Sequence, residues 1–246
     1  MSDKVLRFLD EQRPATPCLV VDLDVVGDKY RRLTKALPLG EVFYAVKANP
    51  AQEVLARLAQ LGASFDTAST GEIAQVLALG VAPEKISFGN TIKKQADIAW
   101  AHARGIKLYA FDSEAELEKL AAAAPGAQVF CRILIDGEGA LWPLNRKFGC
   151  EPGMAADLLV KARDLGLQPY GVSFHVGSQQ MQPEQWDAAI ASAKGVFRRV
   201  AEAGIDLKMI DLGGGFQASY NAPISAIAAY GDAIMTAMTR HFGNDL

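Results

Sequence analysis

Cysteine is scarce and scattered in this chain: Cys18, Cys131 and Cys150 are the only three, far apart in sequence and without a C-x-x-C spacing. Neither a disulfide framework nor a zinc site is indicated, and the three read as reduced, mostly packed thiols. No apolar run approaches the roughly 18 residues that would span a bilayer. Met1-Ser2-Asp3-Lys4-Val5 has no hydrophobic signal core, so a cytoplasmic location without a membrane partner is the expectation. Excess positive charge is missing as well. With 25 Lys and Arg against 28 Asp and Glu the net charge is -3, and no basic stripe is interleaved with aromatics, so nothing suggests nucleic acid. Internal repeats and low-complexity linkers are absent too. What remains is a chain of 246 residues, 50% hydrophobic and 22% charged. That composition suits one large globular α/β domain with a sizeable core, whose partners are small molecules.

From residue 42 onward, short apolar or β-branched runs alternate with longer Ala/Leu-rich amphipathic stretches, the pattern of βα units feeding a parallel sheet. Seven strands are expected: Val42 to Lys47, Ala63 to Asp66, Ile86 to Gly89, Lys107 to Phe111, Val129 to Ile135, Tyr170 to His175 and Lys208 to Leu212. Helices fall between them near 51–61, 71–79, 93–104, 115–124, 153–165 and 183–203, with a last one from Ile224 to Phe242. Gly62, Gly80, Gly105, Gly166 and Gly204 close several of them, because glycine tolerates the left-handed cap conformation. Ser113-Glu114-Ala115-Glu116 reads as a capping box. Two segments stand outside the repeat. Pro17-Cys18-Leu19-Val20-Val21-Asp22 reads as a strand that needs a sheet elsewhere, and Asp136 to Gly149 is a Gly-rich loop longer than most βα connections. An eighth strand would be expected where the sequence stops, so the expected architecture is a (β/α)8-type TIM barrel lacking its last strand, with open edges.

Barrel enzymes present their chemistry at the carboxyl ends of the strands, and several residues fall there. Lys47 follows Val42-Phe43-Tyr44-Ala45-Val46 and precedes Ala48-Asn49-Pro50. Burial among these apolar neighbours would favour a neutral amine able to attack an aldehyde carbon; the position equally suits a lysine that reaches solvent. Asp211-Leu212-Gly213-Gly214-Gly215-Phe216 lets backbone N–H groups approach a phosphate, or forms a tight turn. His175, followed by Ser178, closes the sixth strand and could stack on a ring or serve the core; His102 and His241 lie on helices as surface or packing residues. Asp66 could hold a charge near Lys47, although Ser69, Thr70 and Glu72 beside it also read as a helix cap.

Together, Phe43-Tyr44-Ala45-Val46-Lys47-Ala48-Asn49, Phe65-Asp66-Thr67-Ala68-Ser69, Phe174-His175-Val176-Gly177-Ser178 and Asp211-Leu212-Gly213-Gly214-Gly215-Phe216 resemble, in order, motifs of the fold-type III pyridoxal-phosphate decarboxylases, the ornithine decarboxylase family. The resemblance implies a pyridoxal 5'-phosphate-binding barrel acting on a basic amino acid. L-Ornithine to putrescine, a step of polyamine biosynthesis, is the first expectation, with lysine and diaminopimelate decarboxylases or a non-catalytic cofactor-binding barrel as alternatives. It further implies that Lys47 forms the Schiff base, His175 covers the ring, Ser178 with Gly213, Gly214 and Gly215 binds phosphate, and Asp66 and Glu72 lie beside ring and lysine. Lys47, His175 and Asp66 would be the catalytic set. An arginine expected after the fifth strand falls near Arg146, displaced from the family's position. The family's Glu-Pro-Gly-Arg segment and its following β domain, with Cys-Asp and tyrosine motifs that reach the partner's site in a homodimer, are not in this sequence. Residues 1–24 are therefore expected to carry a strand of that β domain and 25–246 an incomplete barrel, which alone would be poorly stable and inactive.

Overall fold

The computed structural model describes residues 2–144, 147–220 and 224–243. Its strands are β1 (Phe43–Ala45), β2 (Ser64–Thr67), β3 (Ile86–Phe88), β4 (Leu108–Phe111), β5 (Gln128–Arg132), β6 (Ala140–Trp142), β7 (Gln168–Ser173), β8 (Ser178–Gln180) and β9 (Met209–Asp211). Its helices are α1 (Asp3–Gln12), α2 (Leu23–Ala36), α3 (Gln52–Gln60), α4 (Thr70–Ala78), α5 (Gln95–His102), α6 (Glu114–Ala123), α7 (Pro152–Asp164), α8 (Gln185–Glu202) and α9 (Ile227–Phe242). All seven expected barrel strands are present, and they form one parallel sheet in the order β1-β2-β3-β4-β5-β7-β9. Among the described residues β1 and β9 each have a single neighbour, so the sheet is open there.

The period-2 alternation of strand side chains divides two cores. Tyr109 and Phe111 of β4, Val129 and Cys131 of β5 and Phe65 of β2 face the helices and join the large cluster that contains Trp186, Tyr230 and Ile73. Leu108, Ala110 and Phe130 face the other way and pack with Phe43, Tyr170 and Met209 inside the curl of the sheet. Ser69 Oγ accepts from Glu72 N at the start of α4, and Ser113 Oγ accepts from Glu116 N at the start of α6. Gly62, Gly80, Gly105, Gly166 and Gly204 all have positive φ, as their places after helices required. The box at Ser113 is only half made, because the buried Glu116 carboxylate turns to the Lys93 ammonium (2.9 Å) and accepts from Lys93 N (3.1 Å). The Lys93 and Lys119 ammonium groups and the Lys93 N–H together give this buried carboxylate the partners that offset its desolvation.

The strand expected at Pro17 to Asp22, for a sheet elsewhere, has no partner among the described residues; Leu19 is 85% exposed, and Asp22 ends the stretch by capping α2. The sequence reading passed over α1 and α2 altogether, though Ser2 accepts from Val5 N and Asp22 from Asp24 N as ordinary N-caps. Inside the long loop, β6 pairs antiparallel with β8, matching Ala140 to Gln180 and Trp142 to Ser178, so this segment is partly strand. The cysteines are free and mostly packed, as expected: Cys18 is exposed, while Cys131 and Cys150 are buried and, though distant in sequence, lie side by side.

Across the open edge of the sheet the helical layer is continuous, since α2 meets α9 backbone to backbone at Gly231. A Cβ there would sit 2.4 Å from the Ala36 carbonyl oxygen. Alanine's advantage in a helix is about 1 kcal/mol, and overpacking costs about 1–3 kcal/mol or more. Gly231→Ala is expected to destabilise the fold by up to about 2 kcal/mol, the difference of those terms, read as a lower urea midpoint; an unchanged or higher midpoint would show that α9 slides freely on α2.

Candidate functional site

Strand register assembles the site. Ala45 is level with Asp66, Asp66 with Ser87, and Arg132 with Ser173, which is level with Asp211. Asp66 follows the outward Phe65 and so faces the concave side, as do Arg132 beyond Phe130 and Asp211 beyond Met209. Lys47 is in a short 3-10 turn, Val46–Ala48, just past β1. Its side chain is exposed, the second of the two alternatives its sequence position allowed: the strand ends at Ala45, the turn buries Val46, and Lys47 is carried to the open mouth.

The glycine segment after β9 is held close against the end of β7. Gly213 (φ 65) would place a Cβ 2.2 Å from the Phe174 carbonyl, and Gly215 (φ 110) one 2.3 Å from the Gly177 carbonyl. Only glycine fits either place. Asp211 Oδ1 accepts from Gly213 N (2.9 Å), Gly215 O accepts from Gln180 N (2.8 Å), and Leu212 O accepts from the buried Trp186 indole (3.3 Å). Phe216 stacks on Trp186 at 5.2 Å, and Tyr230 donates to Gln180 O at 2.7 Å. Buried Gln180 donates in turn to Glu138 O and Val176 O, joining the long loop to the β7–β8 turn.

Charge is distributed unevenly over this rim. Burial pushes Asp66 up to about 6; Asp211 and Glu72 add to that, while the hydrogen bond from Ser87 Oγ (2.8 Å) and the Lys47 charge oppose it. Asp211 is raised chiefly by desolvation, against Gly213 N–H, Arg132 and Lys47. Its side chain is open to the mouth, so this shift weighs less than that of half-buried Asp66. His175 is pushed down to about 4 by burial and by the cations Arg132 and Lys47. Gly177 N donates to His175 Nδ1 (3.0 Å), so at neutral pH the ring is neutral, with its proton on Nε2.

The residues singled out from sequence therefore separate into groups. Lys47, Asp66 and His175 share one electrostatic field, with Gly213 to Gly215 beside His175, whose Nε2 lies 3.5 Å from where a Gly214 Cβ would be. Ser178 opens β8 next to Gly177. Glu72 serves as a helix cap, with Oε2 accepting from Ala68 N at 2.5 Å, although its charge still reaches Asp66. Arg146 lies outside the described residues. The sequence reading missed Arg132 and Ser87; Asp112, at the strand-four end that also read as a turn with a helix cap, has Oδ2 accepting from Gly149 N and fastens the end of the long loop. Arg132 offered a signal: a cation at the carboxyl end of a strand that is otherwise apolar.

Comparison with known proteins agrees with this geometry. Residues 23–246 match the family described as "Pyridoxal-dependent decarboxylase, pyridoxal binding domain". The chain belongs to this family. A lysine/ornithine decarboxylase of Selenomonas ruminantium is 39% identical over 216 residues, which are 88% of this chain and 55% of that protein. Rat ornithine decarboxylase is 38% identical over 226 residues, 92% of this chain and 49% of that enzyme. The arginine decarboxylase of Paramecium bursaria Chlorella virus, solved with agmatine, superimposes with a TM-score of 0.91 at 31% identity, covering 100% of this chain and 65% of the other. The chain thus spans about half the length of the curated relatives it matches.

The cofactor of this domain is pyridoxal phosphate, and the residues present fit it. Close packing of Gly213 and Gly215 on the Phe174 and Gly177 carbonyls brings the backbone of Gly214 and Gly215 to this rim to meet a phosphate, while Gly213 N–H is held by Asp211. Lys47 brings a primary amine, and neutral His175 an aromatic face, to the same rim.

Asp66 yields a pH-dependent expectation. Its folded pKa of about 6 exceeds the ordinary 3.8, so the folded chain binds more protons between these values and loses stability as pH rises through them. Asp66→Asn removes that cost. Without cofactor it is expected to be about 1–3 kcal/mol more stable than the parent at pH 7.5 and level with it near pH 4, measured by urea unfolding. No gain at pH 7.5 would show that Lys47 and Arg132 fully compensate the carboxylate.

Proposed function

We propose that this chain is the cofactor-binding part of an enzyme that removes the carboxyl group of a basic amino acid, with L-ornithine to putrescine the best-supported reaction. One observation carries the reading: a lysine amine, a half-buried carboxylate and a neutral imidazole lie in one field beside a glycine cradle. The relatives' names, lysine/ornithine, ornithine and arginine decarboxylase, support a basic substrate. The resemblance of the Trp142 to Gly149 segment to bacterial ornithine-type enzymes supports ornithine over diaminopimelate. The reading extends to polyamine biosynthesis and to a cytoplasmic homodimer, as the resemblance implies.

In this reading Lys47 holds the cofactor through its amine, His175 covers one face of the ring, and Ser178 with Gly213, Gly214 and Gly215 binds the phosphate. Arg146 supplies the cation expected after the fifth strand, and Arg132 at the end of β5 adds a second to the rim. Pyridoxal phosphate, when bound, supplies the electron sink that lets the carboxylate leave as carbon dioxide. The chain's own groups manage protons. Ser87 Oγ donates to Asp66 Oδ1, which leaves Oδ2 to carry the proton that a pKa of about 6 retains on part of the population near neutrality. Either Asp66 Oδ2 or the Lys47 ammonium returns a proton to the carbon that lost its carboxylate. His175 stays neutral through the physiological range and adds no charge against the ring.

Two measurements test this. Borohydride treatment of the cofactor-loaded protein is expected to fix the cofactor on the peptide containing Lys47 and to fix none in Lys47→Ala. Carbon dioxide release from carboxyl-labelled ornithine, lysine, arginine and diaminopimelate by the intact natural protein is expected to be fastest with ornithine and to fall at least about 100-fold in Lys47→Ala. Fixation at Lys47 without release from any substrate would favour the non-catalytic cofactor-binding barrel. Fixation elsewhere would remove Lys47 from its role.

A further inference from the structure

Cys131 and Cys150 are 19 positions apart, yet their sulfur atoms are 3.6 Å from each other. Neither faces the cofactor rim. Cys131 points from β5 into the helix-side core at 0% exposure, and Cys150 is packed against it at 6%. The backbone fixes the juxtaposition. Cys150 N donates to Arg132 O (3.0 Å) and Leu134 N donates to Cys150 O (2.9 Å), so Cys150 lies on the extension of β5 as a parallel bridge to Ile133. Cys131, two residues before Ile133, shares its face. Gly149 is pinned from the other side by the Asp112 carboxylate and has no room for a Cβ, which would stand 2.9 Å from the Ile133 backbone. The two thiols are thus held at the neck where the long loop leaves and rejoins the sheet. That loop carries β6, whose Ala140 and Trp142 pack against Gly177 beside the phosphate cradle.

The geometry points to an oxidative modification site: Cys131 and Cys150 form a dithiol that a two-electron oxidant of the peroxide class converts to an intramolecular disulfide, covalently closing the neck of the loop between them. A disulfide needs the sulfurs at about 2 Å, so a closure of about 1.6 Å is required, on the scale of side-chain rotation. The roles are unequal. Cys150 is the less buried of the two, 6% exposed against 0%; contact with Cys131 holds its thiol below the ordinary value, while burial holds Cys131 above its own. Cys150 is therefore the attacking thiolate and Cys131 the resolving thiol. The Cys150 sulfur attacks a peroxide oxygen, the O–O bond breaks, and hydroxide leaves to be protonated to water. The Cys131 sulfur, as it gives up its proton, attacks the resulting sulfenic sulfur and displaces a second water. Two thiols lose two electrons, and one hydrogen peroxide is reduced to two waters. Exposed Cys18 has no such neighbour among the described residues and acts as the internal comparison. The inference does not depend on which amino acid the enzyme uses.

The test treats the cofactor-saturated protein with hydrogen peroxide, blocks remaining thiols with iodoacetamide after denaturation, and maps the digested peptides. The expected result is a linked pair of peptides containing Cys131 and Cys150, lighter by two hydrogens, restored by dithiothreitol and equally abundant in Cys18→Ser. Cys150→Ser is expected to abolish the link and leave Cys131 reduced. Should that variant fail to fold, phenylarsine oxide serves as a second probe, expected to bind Cys18→Ser in a one-to-one ratio and to block both remaining thiols. Overoxidation of Cys150 without a linked peptide, a link through Cys18, or both thiols remaining unreacted would each overturn the proposal.

Discussion

Parallel pairing is the constraint on which the rest of this structure depends. Seven strands run the same way, so all their carboxyl ends open on one rim, and side-chain alternation decides which residues face the concave side there. Ala45, Asp66 and Ser87 are level across three strands, and Arg132, Ser173 and Asp211 across three more. A shift of one residue in either set would turn the charged groups outward into the core that holds Phe65 and Cys131. Register therefore brings together groups that stand up to 145 residues apart in the chain, from Asp66 to Asp211.

The second constraint is close backbone approach. Gly213 and Gly215 press against the carbonyls of Phe174 and Gly177, and the loop is held in place from behind by Trp186, Phe216, Tyr230 and Gln180. Aromatic packing and a fully satisfied buried amide make the cradle rigid, which suits a site whose donors are backbone groups. On the open side the field does the sorting. Burial, aided by two cations, keeps His175 neutral, and burial with neighbouring carboxylates raises Asp66 to about 6. One small rim thus offers an amine, a neutral ring and a carboxylate that exchanges protons.

Much of this could be read from residue order. Each run of apolar or β-branched residues marked a strand, each glycine after a helix marked a turn, and the motifs at Lys47, Asp66, His175 and Gly213 pointed to the rim that the structure assembles. Other parts could not be read, for identifiable reasons. The β6–β8 ribbon is only three residues on each side, with Leu141 and Trp142 exposed, so its local pattern carries little periodic signal. Glu116 left its capping box because the Lys93 and Lys119 ammonium groups and the Lys93 N–H together offset its desolvation, and Lys93 comes from another part of the chain.

By itself the sequence determined the α/β alternation, the helix caps and the glycines without which the cradle cannot form, because periodicity, capping and backbone freedom act within a few residues. It also carried the family's motifs in order. Only the tertiary structure decided that Lys47 is exposed, that Arg132 joins Asp66 and Asp211, that Asp112 holds the loop neck, and that Cys131 meets Cys150. Those outcomes depend on register, face and long-range electrostatics, which arise when distant segments pair and shed water together.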